Sequence, residues 1–297
     1  MDEESRRYLQ EIRPRYDDWH KQNMELVGPR LEPAEGDQDI VRQRVVLLSQ
    51  YKDFLDQQHY AEQFDSRSNL HSSVLEEFLY YLFKDLVGDF GETALLGKSH
   101  TFKDMFFVPP NYKSLVERPY ATLETKDHDF VIGTSVTARL QASVPVDPPE
   151  DAADPAEVAD EHQDPYLPRV VGAEEVHRFD LPAVAIECKT YLDKTMLEGA
   201  SRAAEELKAR VPTAICVVVM EWLKLTEAVN LRKYKVDQIY VLRRQRNTDR
   251  EFRYAEDYDK SPIDADVVWH LFSMVRSHLA ADWQGGTAFG LERGWLI

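Results

Sequence analysis

With 297 residues, 43% hydrophobic and 30% charged, the chain has the composition of a globular protein and length enough for a large core, which excludes a disordered or fibrous polypeptide. Its first residues, Met1 to Arg7, are charged where a secretory signal needs an apolar stretch, and its longest apolar run, Ala214–Met220, is about a third of the ~20 residues that cross a bilayer, so neither export nor a membrane span is expected. A net charge of −17 opposes broad phosphate binding, which makes the distribution of that charge decisive.

Residues 1–66 show helix-like spacing broken only at Gly28-Pro29 and Gly36, predicting two helical pieces as an N-terminal segment before a main domain over 67–297. From Asn69 to Val87, the apolar residues Val74, Leu75, Phe78, Leu79, Leu82, Phe83 and Leu86 recur at three- and four-residue steps, the mark of a buried helical face. Asn69, Ser72 and Ser73 are all suitable for its first turn, and Gly88 and Gly91 end it. Met105–Val108 and Ala121–Thr125 read as strands. Lys126-Asp127-His128 then reads as a turn leading into a further β-rich run from Asp129 to Val136, so a hairpin is expected there.

The stretch 145–180 is rich in Pro and Ala. From Asp147 to Asp180 it holds eleven acidic residues against Arg169 and Arg178, more than half of the net negative excess, and reads as a mobile acidic insertion. Ala183–Thr190 begins apolar and ends polar, as an interior strand does when it emerges at a working edge. Thr195–Arg210 is helical in composition and closes at Pro212; Ala214–Met220 is a buried strand. Gln238–Leu242 adds a strand and Ala265–Ala281 an amphipathic helix. Cys188 and Cys216 both fall in β-like apolar segments, where buried reduced thiols and a cytoplasmic setting are expected. Between Leu231 and Arg253, eight basic residues face three acidic ones, which fits a phosphate-facing surface and a solvated edge about equally.

The predicted class is α/β in the α+β sense, a mixed central sheet flanked by helices in αβββαβ order. On it, Glu187 and Lys189 stand two positions apart in a strand, so they project to the same side about 6.6 Å apart along the chain, with Cys188 pointing away. A carboxylate and an ammonium emerging together after an apolar run call for a bound partner. Magnesium with a phosphodiester is one, since that ion takes one or two carboxylates together with water and substrate oxygens. Asp129, opening its own strand, is the second carboxylate if the two strands are neighbours. An Asp127-x-Asp129 metal site of a nucleotide-sugar transferase is the competing reading, without an accompanying nucleotide-binding pattern. Tyr191, Lys194, Arg202 and Lys208 are further positions from which a phosphate could be met, and packed or solvated side chains look the same in sequence.

Asp129 followed by Glu187-Cys188-Lys189 on this order of elements resembles the PD-(D/E)XK nuclease superfamily. Ser72–Phe78 and Lys126–Gly133 further resemble Type II restriction endonucleases of the BbvCI kind, over roughly residues 70 to 245. His128 stands where the motif has proline, and the acidic stretch lengthens the separation of the two acids. The resemblance implies a restriction-endonuclease-like fold and magnesium-dependent hydrolysis of double-stranded DNA at a short specific site. It assigns the metal to Asp129, Glu187 and the Cys188 carbonyl, and the orienting or deprotonation of the attacking water to Lys189. It adds a helix carboxylate, Glu76 in preference to Glu77, and a homo- or hetero-oligomer with a second nuclease subunit. A repair or defence nuclease acting on structures or ends, and a catalytically silent DNA-binding subunit, stay open as alternatives.

Overall fold

The computed structural model of the protein describes residues 3–64, 69–117, 121–140, 143–144, 169–170, 175–248 and 254–283. Three helices open the chain: α1 (Glu3–Glu25), α2 (Asp37–Leu55) and the short α3 (Gln58–Gln63). After them come α4 (Asn69–Gly88), β1 (Ala94–Phe107), α5 (Tyr112–Glu117) and β2 (Ala121–Leu140). The two-residue strands β3 (Ser143–Val144) and β4 (Arg169–Val170) pair antiparallel. The remainder is β5 (Glu175–Leu192), α6 (Lys194–Lys208), β6 (Ile215–Leu223), β7 (Gln238–Val241) and α7 (Ala265–Ala280). Among the described residues, no helix is long and apolar enough to cross a membrane.

The strands form a mixed five-stranded sheet in the order β1-β2-β5-β6-β7. β5, β6 and β7 run parallel, with Glu187 opposite Val218 and Lys189 opposite Met220. Two compact units share the chain. The first gathers the described residues of Met1–Thr101, Lys126–Ser135 and Asp180–Ile297; the second those of Phe102–Thr125 and Val136–Phe179.

In the first unit the period-two pattern of the strands sorts side chains onto two faces. Val184, Ile186, Cys188, Val217 and Val219 join Phe130 and Ile132 in a core with α1, α2, α4 and α7, to which Trp19, Leu48, Phe78, Phe83 and Phe272 contribute. Val218 and Met220 turn the other way, onto Leu197 and Ala200 of α6. α6 itself is capped by Asp193, whose carboxylate accepts from the Met196 N–H. α1 and α2 lie in the same core as α4, and buried Arg44 of α2 donates to the carbonyls of Asn23, Leu26 and Gly28.

In the second unit the Phe102 and Phe179 rings meet at 5.0 Å, Lys103 pairs with Glu124, and the Ala121 N–H donates to Glu175.

Three expectations are corrected. The hairpin between Thr125 and Asp129 is absent, because Ala121–Leu140 is one 20-residue strand through Lys126, Asp127 and His128. That triplet has no Gly, Pro or Asn to supply turn geometry, and its polarity has another origin: Asp127 pairs with His100 on β1, and Thr101 donates to the Lys126 carbonyl. Glu175–Asp180, included in the insertion, is the first part of β5, where Asp180 accepts from Ser99 and Ser135 at 2.6 Å each. The rest of 145–180, apart from Arg169–Val170, lies outside the described residues. The N-terminal segment holds three helices rather than two.

Candidate active site

β2 and β5 are neighbours in the sheet, and their polar stretches meet, inside both strands, where the apolar run Val184–Ile186 stops. The approach is close. A Cβ at Gly133 would stand 2.1 Å from the Leu181 carbonyl oxygen, so only glycine fits β2 there without moving β5. Four residues earlier, Asp129 Oδ2 accepts the Cys188 backbone N–H at 2.9 Å and the Lys189 ammonium at 2.6 Å. The same ammonium donates to Glu187 Oε2 at 3.1 Å. Two carboxylates from different strands thus share one cation, and all three side chains are between 19% and 27% exposed, buried enough to interact strongly and open enough to meet a ligand.

The electrostatics follow from this arrangement. Burial alone would raise the Glu187 carboxyl, but the His128 hydrogen bond and the Lys189 charge override it and hold the group at about 2. Burial would equally depress Lys189; the charges of Glu187 and Asp129 outweigh it and keep the ammonium protonated well above its ordinary range. On α4, Glu76 is pushed up, first by burial and then by the charge of Asp129, with Lys98 and Lys189 partly opposing. Glu76 therefore feels the site. Glu77 does not serve it: its carboxylate accepts from the hydroxyls of Tyr16 and Tyr81 and lies 3.6 Å from His20, tying α4 to α1. Cys188 is buried in the core between the two charged residues, and burial raises its thiol well above the usual range, so its side chain is inert there.

His128 does not sit in a turn. It lies inside β2, 3% exposed, with Nδ1 3.2 Å from Glu187 Oε1. Other expected contact points are engaged elsewhere. Lys194, Arg202 and Lys208 pair with Glu198, Glu206 and Asp237, and Tyr191 lies beneath the Lys224 ammonium at 4.8 Å. The basic run after Leu231 is largely neutralised from within: Arg243 is buried against Glu221, Arg244 meets Asp264 and Arg246 meets Glu227, while Arg232, Lys233 and Lys235 are exposed. Arg250 and Arg253 lie outside the described residues.

Among the described residues, no group of three or more His, Cys, Asp or Glu side chains is gathered tightly enough to hold a metal unaided. The donors present nonetheless suit magnesium. Asp129 and Glu187 offer hard carboxylate oxygens to one point with Glu76 nearby, and Lys189, Lys98 and His128 offset part of their charge. An ion that takes one or two carboxylates and fills its remaining positions with water and substrate fits that set.

The mixed five-stranded sheet with its flanking helices is of the restriction-endonuclease-like kind, in the α+β class. The profile described as the Bpu10I restriction endonuclease matches residues 67–152 and 163–296, and the chain belongs to that family. It is a Type II restriction endonuclease chain. Among solved structures, that of the "native BbvCI A2B2 tetramer at low resolution" superposes with a TM-score of 0.63 at 19% identity, over 94% of this chain and 92% of that one, which establishes the shared fold. No curated protein sequence matches the chain.

Proposed function

We propose that the chain is a magnesium-dependent endodeoxyribonuclease that hydrolyses phosphodiester bonds of double-stranded DNA at a short specific site, with Asp129, Glu187, Lys189 and Glu76 as its active residues. The observation that carries this reading is the Lys189 ammonium shared between Asp129, inside β2, and Glu187, on the adjacent strand β5. Asp129, Glu187 and the Cys188 carbonyl would hold the metal, which, when bound, lowers the pKa of a water and offsets charge on the phosphate and the leaving 3′ oxygen.

The chain's own groups supply placement. Lys189, kept protonated by two carboxylates, is a donor rather than a base, which favours its orienting the attacking water over deprotonating it. Glu187, held ionised, stays an acceptor at any working pH. Glu76, raised, is a third carboxyl able to exchange a proton with a water bound beside it. The A2B2 tetramer that BbvCI forms supports work with a second nuclease subunit, and two buried free cysteines support a reducing cytoplasm.

Incubation with plasmid and magnesium, alone and with the second subunit, followed by sequencing of the ends, tests the proposal. Fixed termini are expected, together with a loss of at least about 100-fold in rate for Lys189→Ala with its fold retained. Scattered termini would indicate a structure- or end-specific nuclease. Undiminished cleavage by Lys189→Ala, or none under any metal, would overturn the assignment.

A further inference from the structure

We propose that His128 is the positioning residue for Glu187, fixing the rotation of its carboxylate so that one oxygen is tied back and the other is presented beside Asp129. This rests on the reading of Glu187 as a metal-holding carboxylate and adds to it a residue outside the acid, acid and Lys set.

His128 Nδ1 lies 3.2 Å from Glu187 Oε1, while Oε2 faces the Lys189 ammonium at 3.1 Å. An ionised carboxylate only accepts hydrogen bonds, so the proton of this contact belongs to the imidazole, and His128 holds the Nδ1–H tautomer. The ring has little room to swing away: it is 3% exposed, on a strand that continues past Asp129 into Phe130 and Val131, at 1% and 0% exposed. A two-oxygen acceptor with a different donor on each oxygen has one orientation, and Glu187 is held in this way by His128 and Lys189. Removing a partner that orients a metal-holding carboxylate weakens metal affinity by about 10–100-fold. Lys189 cannot substitute, because its ammonium is divided between two carboxylates.

The substitutions His128→Leu and His128→Asn separate this role from simple packing. Leucine keeps the branching at Cγ and removes the donor, whereas the asparagine amide nitrogen, also bonded to Cγ, can donate from near the place of Nδ1. Mn2+ binding to the full chain, followed by loss of the free-ion electron paramagnetic resonance signal, is expected to weaken about 10–100-fold in His128→Leu and to stay within about 3-fold of wild type in His128→Asn. Equal affinity in His128→Leu and wild type, or equal loss in both variants, would overturn the role. If the leucine variant does not fold, nitrogen-15 spectra of the wild-type imidazoles decide: a protonated Nδ1 on His128 is expected, and a bare Nδ1 with the proton on Nε2 contradicts it. Failure of wild type itself to take up Mn2+ would sink the reading of the site, and this proposal with it, and is recognisable without any variant.

Discussion

Lys189 is the residue on which the resting site balances. Its ammonium separates two carboxylates that would otherwise repel, and the His128 hydrogen bond, followed by the Lys189 charge, holds the titration of Glu187 low against its burial. Because the folded value of about 2 lies below the ordinary 4.5, this carboxylate stabilises the native state fully above its unfolded pKa, and that contribution is lost as pH falls from about 4.5 through 2. A shift of that size corresponds to roughly 3 kcal/mol. Urea unfolding of wild type and Glu187→Gln across pH 5 to 2 should show the wild type losing that much more stability than the variant; parallel pH profiles would contradict it. That Asp129, Glu187 and Lys189 come together was legible because acid-x-Lys after an apolar run is a local pattern, and Glu76 stands out at the edge of a helical stripe. His128 was not, since its partner lies 59 residues away and only the course of the backbone reveals that the two meet.

At the level of elements, the helix-strand order was legible because apolar periods of two and of three to four residues alternate along the chain. The continuity of β2 was not. A polar triplet between two β-rich runs looks like a turn until β1 is known to supply partners for it through His100 and Thr101. Equally hidden was a buried charge network that joins three segments: Lys52 of α2 lies 2.9 Å from Glu221 of β6, and Arg243, just beyond β7, donates to the other Glu221 oxygen at 2.7 Å and to the Ser261 carbonyl at 2.8 Å. Burial would raise Glu221, but Lys52 and Arg243 together lower it. Removing that one carboxylate leaves Lys52 without its ion pair and Arg243 with only Asp53 and the Ser261 carbonyl, and breaking a buried pair costs about 3–5 kcal/mol. Glu221→Ala should lose that much in chemical denaturation; a loss under about 1 kcal/mol would show that water or another group already serves the two cations.

For the whole molecule, a net charge of −17 looks hostile to DNA, and its distribution softens the conflict, since more than half of the excess falls between Asp147 and Asp180. Sequence alone did not show that most described arginines of the basic run after Leu231 are engaged by neighbouring carboxylates, because pairing partners such as Glu221, Glu227 and Asp264 are fixed only by the fold. Under the proposed function, the negative cluster inside β2 and β5 would take up a divalent ion before a phosphodiester approaches. Anomalous diffraction from a crystal soaked in Mn2+ tests that uptake at the atoms concerned. The account predicts a peak within about 2.2 Å of carboxylate oxygens of both Asp129 and Glu187, in the range of metal–oxygen bonds. A fully soaked crystal with its peaks elsewhere, and Lys189 still lodged between the two carboxylates, would contradict it.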